Sequence, residues 1–243
     1  MAIDADLLKT RLQDVRKIIR ETAHDADRDP DAVTLIGVTK FFPAELAGAA
    51  VLCGLSDLGE NRVQEMLAKK DELASRGLTP NWHLIGSLQK NKVRLIIGKT
   101  HLIHSMDSLS LLEEVDRRSK AAELVTDVLV QVNIAGESSK HGFAPAELLP
   151  VIEQALRFRG IRLRGLMTMA PLYPDANLTL PVFNEARNLF HLLSETMIQD
   201  KSFNILSMGM SHDYVQAIRC GATHVRIGSA IFGPRPPELP EPG

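Results

Sequence analysis

A chain of 243 residues with 44% hydrophobic side chains is long enough to bury a large core, and 28 basic against 30 acidic residues leave a formal charge of −2. That balance argues against a broad electrostatic footprint for nucleic acid or an anionic membrane and favours a small neutral or locally anionic ligand. Only Cys53 and Cys220 are present, far apart and without Cys/His metal spacing, which speaks against a disulfide framework or zinc site and fits a reducing cytosol.

The opening stretch "MAIDADLLKTRLQDVRKIIRE" has charges every few residues, unlike a secretion signal, and sets Leu8, Leu12, Val15, Ile18 and Ile19 on one face of an amphipathic helix. No apolar run reaches the ~20 residues that span a bilayer. Eight short apolar runs follow: Val33 to Thr39, Leu55 to Gly59, Trp82 to Gly86, His101 to Ser105, Val128 to Asn133, Leu163 to Met169, Ile205 to Gly209 and His224 to Gly228. Helical patterns separate them, at Ala44 to Cys53, Arg62 to Arg76, Gln89 to Ile97, Leu109 to Ala121, Pro145 to Phe158, Leu180 to Asp200 and Asp213 to Cys220.

This alternation predicts an α/β fold, a single-domain (β/α)8 TIM barrel with an extra N-terminal helix. A doubly wound sheet would share the alternation, but eight strands without GxGxxG or GxxxxGK(S/T) favour the barrel. "PLYPDANLTLP" (Pro171 to Pro181) reads as a long loop. The closing "AIFGPRPPELPEPG" has too many prolines for a full helix, so the opening helix is expected to cover the seam. Residues 1–233 then form the barrel and residues 234–243 an extended or disordered tail.

In such a barrel the site lies at the carboxyl ends of the strands. The first run ends in Lys40. A strand-end lysine often only snorkels to solvent, but inside a barrel mouth desolvation and a neighbouring cation would lower its pKa from about 10.4 and free the amine to attack an aldehyde or ketone. "SMGMSHD" sets Gly209 and the hydroxyls Ser207 and Ser211 between the seventh strand and its helix, which Ser211 is expected to cap, and "IGS" adds Gly228 and Ser229 at the eighth. Together they read as a phosphate seat. In "HVRIG" the apolar Val225 and Ile227 share one face, so Arg226 points into the barrel, where its buried guanidinium needs an acceptor: a neighbouring acid, or a ligand atom such as a ring nitrogen. A Schiff-base lysine beside a phosphate seat leaves two ligands open, a sugar phosphate as in an aldolase, or pyridoxal 5′-phosphate.

The set "VTKFFP", "GENRVQE", "WHLIGSLQKNK", "HSMD", "QVNIAGESSKHGF", "LRGLMTMAP" and "LSMGMSHDYVQAIRCGATHVRIGSAIFG" resembles, in order and spacing from about Leu35 to Gly233, the pyridoxal phosphate homeostasis protein family. That resemblance implies a barrel of the alanine racemase N-terminal type that binds pyridoxal 5′-phosphate as an internal aldimine, in vitamin B6 and amino acid homeostasis, without established turnover. It implies Lys40 as the aldimine lysine, Ser207, Gly209, Ser211, Gly228 and Ser229 around the phosphate, Arg226 at the pyridine nitrogen, and Asn61 in the pocket wall. Its partners would be the cofactor and, transiently, pyridoxal-phosphate-dependent apoenzymes, with the chain a cytoplasmic monomer that binds neither nucleic acid nor membrane. Phe42, Ser87 and His212 depart from the family pattern. A racemase-like enzyme and a class I aldolase-like enzyme stand as alternatives. His83 is a candidate general acid/base or a satisfied structural group, and neither Tyr173 nor Tyr214 is an obvious second base.

Overall fold

Aliphatic and β-branched runs too short for helices, each closed by glycine or polar residues, become the strands: β1 (Thr34–Val38), β2 (Asp57–Glu60), β3 (Asn81–Leu84), β4 (Leu102–Met106), β5 (Thr126–Val132), β6 (Ile161–Thr168), β7 (Ile205–Met210) and β8 (His224–Ile227). In the computed structural model, which describes residues 4–137, 141–198 and 200–234, they form one closed parallel barrel in sequence order. β1 completes the ring by pairing with β8, Ile36 opposite Arg226. Closure leaves no unpaired edge and directs every strand's carboxyl end to the same mouth.

The helices form the outer layer. α1 (Ala5–Asp25) is capped by Asp4, whose side chain accepts from the Leu7 N–H at 2.9 Å. It buries Leu8, Leu12, Val15, Ile19 and Ala23. Ile18, expected on that face, is 38% exposed: one position equals about 100° of helix rotation, which carries it off the stripe that Ile19 occupies. α1 packs on α8 (Tyr214–Arg219) and α9 (Ser229–Phe232), covering the seam where a full terminal helix would lie. Arg28 fastens its exit, donating to the carbonyls of Ile218 (2.6 Å) and Ala222 (2.8 Å).

The remaining helices are α2 (Ala44–Leu52), α3 (Val63–Ser75), α4 (Val93–Ile96), α5 (Leu109–Ala121), α6 (Leu148–Ala155) and α7 (Leu180–Thr196). Where the sequence predicts one helix over Gln89 to Ile97, a 3₁₀ turn (Lys90–Lys92) precedes the single turn of α4. The expected loop from Pro171 contains a 3₁₀ turn, Ala176–Thr179, started by the Asp175 side chain accepting from the Asn177 N–H at 2.9 Å. The predicted tail, from residue 235 on, lies outside the described residues. Among the described residues no helix is long and apolar enough to cross a membrane.

The main core fills the layer between strands and helices. Inside the barrel the two halves differ. Leu102, Leu129, Met167 and Ile205 form an apolar floor, whereas Asp57, His83, His104, Ser207 and Arg226 bring polar groups into the interior.

Candidate functional site

The chain leaves β1 through a backbone held on both sides of Lys40. Lys69, buried on α3, donates from Nζ to the Thr39 carbonyl (2.7 Å), Glu60 Oε1 (2.6 Å) and Glu65 Oε1 (2.9 Å). Thr39 Oγ1 donates to Glu60 Oε1 at 2.7 Å, and the Phe41 N–H donates to Glu65 Oε1 at 3.0 Å. Burial pushes the Glu60 carboxyl up, while the Lys69 charge and the Lys69 and Thr39 hydrogen bonds pull it back. This clamp accompanies a left-handed Phe41 (φ +69°), a conformation that a bulky residue adopts only when its surroundings enforce it.

Lys40, so delivered, lines a cavity of about 490 Å³ at the carboxyl end of the barrel. Phe41 and Phe42 form its rim beside it, and the Phe42 ring lies 5.5 Å from that of Phe232 in α9. Asn61 follows β2 and contributes to the wall, where Gly86 presses on it: a Cβ at Gly86 would fall 2.4 Å from the Asn61 carbonyl oxygen. Gln131 enters from the end of β5, its Nε2 donating to the His141 carbonyl at 2.8 Å.

The β7 and β8 ends close the far side. Ser211, Gly228 and Ser229 line the cavity, as expected, but Ser211 does not cap α8. Asp213 closes that turn by accepting from the Met210 N–H at 2.6 Å. Ser211 Oγ instead accepts from the N–H groups of Gly228 (3.2 Å) and Ala230 (3.4 Å), at the start of α9. With both acceptor positions of the hydroxyl filled, its own hydrogen is left to donate.

Two residues expected at the phosphate lie elsewhere. Ser207 is fully buried below the cavity, its hydroxyl taken by Arg226 and His104. Gly209 faces outward, since the β7–β8 register shifts between Ser207 and Met210 and breaks the alternation. At φ +91°, a Cβ there would lie 2.6 Å from Ala217 Cβ in α8, so the glycine serves helix packing.

Arg226 does point inward and lines the cavity. Its Nη1 donates to Ser207 Oγ (2.5 Å) and its Nη2 to the Thr168 carbonyl (3.0 Å). Burial draws the guanidinium down to about 10, against the opposing charge of Asp213, so it stays protonated at neutral pH. His83 is buried inside the barrel and does not reach the cavity. His212 lines it, held at 2.8 Å from the Tyr173 carbonyl by Nε2. Tyr214 packs in α8.

The sequence reading missed the Glu60–Lys69–Glu65 clamp and the Gly86 contact. Glu60 and Gly86 stand in the quoted runs "GENRVQE" and "WHLIGSLQKNK", but nothing in "AKKDELAS" marks which lysine is buried.

Residues 11–236 match the family model for the alanine racemase N-terminal domain. The chain is 39% identical over 229 residues to the pyridoxal phosphate homeostasis protein of Aquifex aeolicus, covering 93% of this chain and 97% of that one. The structure of PipY from Synechococcus elongatus with pyridoxal phosphate bound superposes with a TM-score of 0.81 at 34% identity, covering 93% of this chain and all of PipY. Alanine racemase from Clostridium difficile shares the fold at a TM-score of 0.70 and 18% identity, with 93% of this chain covering 61% of the racemase.

Proposed function

Because the chain belongs to the pyridoxal phosphate homeostasis protein family, we propose that it binds pyridoxal 5′-phosphate in the carboxyl-end cavity and acts in vitamin B6 and amino acid homeostasis without catalytic turnover. The observation that carries this reading is the convergence on one cavity of a primary amine (Lys40), an inward guanidinium (Arg226) and the Ser211, Gly228 and Ser229 corner. When bound, the cofactor supplies an aldehyde open to attack by an amine, and a phosphate that anchors it. Lys40 would supply the amine that captures the aldehyde. Ser211 and Ser229 would hold the phosphate with their hydroxyls, Gly228 would let it approach the backbone closely, Arg226 would donate to the ring nitrogen, and Asn61 would line the wall.

Retention without turnover follows from the same residues. A permanently protonated Arg226 disfavours protonation of a ring nitrogen beside it and so weakens the ring as an electron sink. Besides Lys40 and Arg226, the titratable groups among the described lining residues are His141 and His212, and no tyrosine side chain lines the cavity. We place the protein in the cytosol as a monomer that meets apoenzymes transiently.

The test is the absorption spectrum of the purified full-length protein mixed with pyridoxal phosphate, before and after borohydride. Wild type should show an imine band that reduction converts to a cofactor fixed on Lys40, and Lys40→Ala should show neither. Equal cofactor retention by Lys40→Ala, or no band in wild type, overturns the binding reading. Exchange of the α-deuterium of an amino acid at enzyme-like rates overturns the absence of turnover.

A further inference from the structure

A line of hydrogen-bonded side chains crosses the barrel interior beneath the cavity. It starts at Arg226 on β8, whose Nη1 donates to Ser207 Oγ on β7 at 2.5 Å. The same oxygen lies 3.0 Å from His104 Nδ1 on β4, His104 Nε2 lies 3.0 Å from His83 Nδ1 on β3, and His83 Nε2 lies 3.0 Å from Asp57 Oδ1 on β2. Ser207, His104 and His83 are wholly shielded from solvent.

The two ends fix the direction of the line. A guanidinium only donates and an ionised carboxylate only accepts. With Arg226 filling one lone pair of Ser207 Oγ, the hydroxyl hydrogen can go to His104 Nδ1. With Asp57 accepting from His83 Nε2–H, a neutral His83 has a bare Nδ1 that accepts from His104 Nε2–H. Read from either end, the neutral tautomers agree, and every link is satisfied.

Resting on the cofactor reading above, we infer that Asp57, His83, His104 and Ser207 are positioning residues for Arg226. They form one directional chain that anchors the guanidinium as a donor and matches the cavity to a heteroaromatic ring presenting an unprotonated nitrogen.

The competing arrangement makes His83 an imidazolium paired with Asp57, with His104 then donating from Nδ1 to Ser207. The surroundings oppose it. Burial pushes His83 down, against the hydrogen bond and charge of Asp57, and burial together with the charges of His83 and Arg226 pushes His104 well below the ordinary range. The His101 and His224 rings, 5.3 and 6.3 Å from the His83 ring, add no anion. Burial would raise the Asp57 carboxyl, but hydrogen bonds from His83, Ser56 and Asn81 hold it at about 2, so its ionised form persists. A fully satisfied buried network of this kind fixes geometry, because any rotation leaves a polar group unpaired.

Nitrogen-15 NMR of the histidine-labelled full-length protein, without cofactor, decides the chain directly. His83 and His104 should both be neutral Nε2–H tautomers that do not titrate between pH 6 and 8. An imidazolium at His83 or an Nδ1–H tautomer at His104 overturns the proposal. The second measurement uses His104→Phe with two probes, pyridoxal phosphate and its analogue with a C–H in place of the ring nitrogen. The variant should bind pyridoxal phosphate about tenfold more weakly than wild type does, a ratio well within reach of one lost charged hydrogen bond, and should bind the analogue as tightly as wild type does. Equal weakening for both probes means a merely structural loss and overturns it. Should His104→Phe not fold, the NMR result on wild type stands alone as the decision. A wild type that fails to bind pyridoxal phosphate defeats the cofactor reading, while the tautomers still report on the chain.

Discussion

The barrel has two hollow ends of similar size that differ in how their polar groups are used. The carboxyl-end cavity of about 490 Å³ gathers Lys40, Arg226 and the Ser211 hydroxyl on its walls. At the amino end, about 410 Å³ is lined by His101, Asp127, Arg164, Thr223 and His224, among which Arg164 pairs with Asp127 and Thr223 with His224. Arg164 Nη1 donates to Asp127 Oδ2 (2.5 Å) and its Nε to the Ser202 carbonyl (2.8 Å), Arg162 Nε pairs with Asp127 Oδ1 (2.9 Å), and Thr223 Oγ1 and His224 Nδ1 lie 3.1 Å apart. Volume therefore does not define a site. What separates the two ends is the chemistry that lines them, a primary amine, an inward guanidinium and a serine–glycine corner at one and an arginine–aspartate cluster at the other.

Four expected outcomes bear on that contrast. Lys69→Met removes the cation of the clamp beneath Lys40 and leaves Glu60 buried without its partner, which should cost about 3–5 kcal/mol. Urea denaturation should show that loss, and the trapped fraction of cofactor after borohydride should fall with it. If trapping stays at the wild-type level, the clamp does not position Lys40.

Acidification strikes the interior and the amino end. Burial depresses His224 from 6.5 to about 3 and lowers His83 and His104 as well. The unfolded chain takes up protons near pH 6.5 while the native histidines stay neutral, so below that pH the unfolded state binds more protons and stability falls as pH falls. Between pH 7.5 and 5.5 the loss should be roughly 1 kcal/mol for His224, and His83 and His104 act in the same direction. A denaturation midpoint that holds or rises at pH 5.5 would contradict this.

Gly209→Ala forces a side chain into a left-handed backbone against α8 and should cost about 2 kcal/mol, read as a lowered thermal midpoint. An unchanged midpoint would return Gly209 to a role at the ligand. Smallest is Asp127→Ala, which leaves Arg162 and Arg164 short of an acceptor and should cost about 1–2 kcal/mol. Cofactor affinity, measured by fluorescence titration, should not change, and a clear drop would mean that the two ends are not independent.

Sequence alone carried the strand order, the inward Arg226 and the place of Lys40, because each depends on local alternation between apolar and polar residues. It misplaced Ser207 and Gly209. "SMGMS" looks like one anion loop, but the strand continues to Met210 and its register slips, so Met210 and Ser211 reach the cavity while Ser207 and Gly209 do not line it. The clamp was invisible for a different reason. Lys69 sits in a helix dense with charge, and what singles it out is the backbone it meets across 30 residues of sequence. Ser211 shows the same limit: its hydroxyl serves α9, two segments further along the chain than the helix it precedes.

Because β8 pairs with β1, Arg226 on β8 and Lys40, just beyond the end of β1, line one cavity although they are far apart in sequence. A chain made from its amino end therefore carries Lys40 long before it carries Arg226, and the two cavity walls they stand on meet last. The cavity is therefore complete only once β8 has docked against β1 and closed the ring.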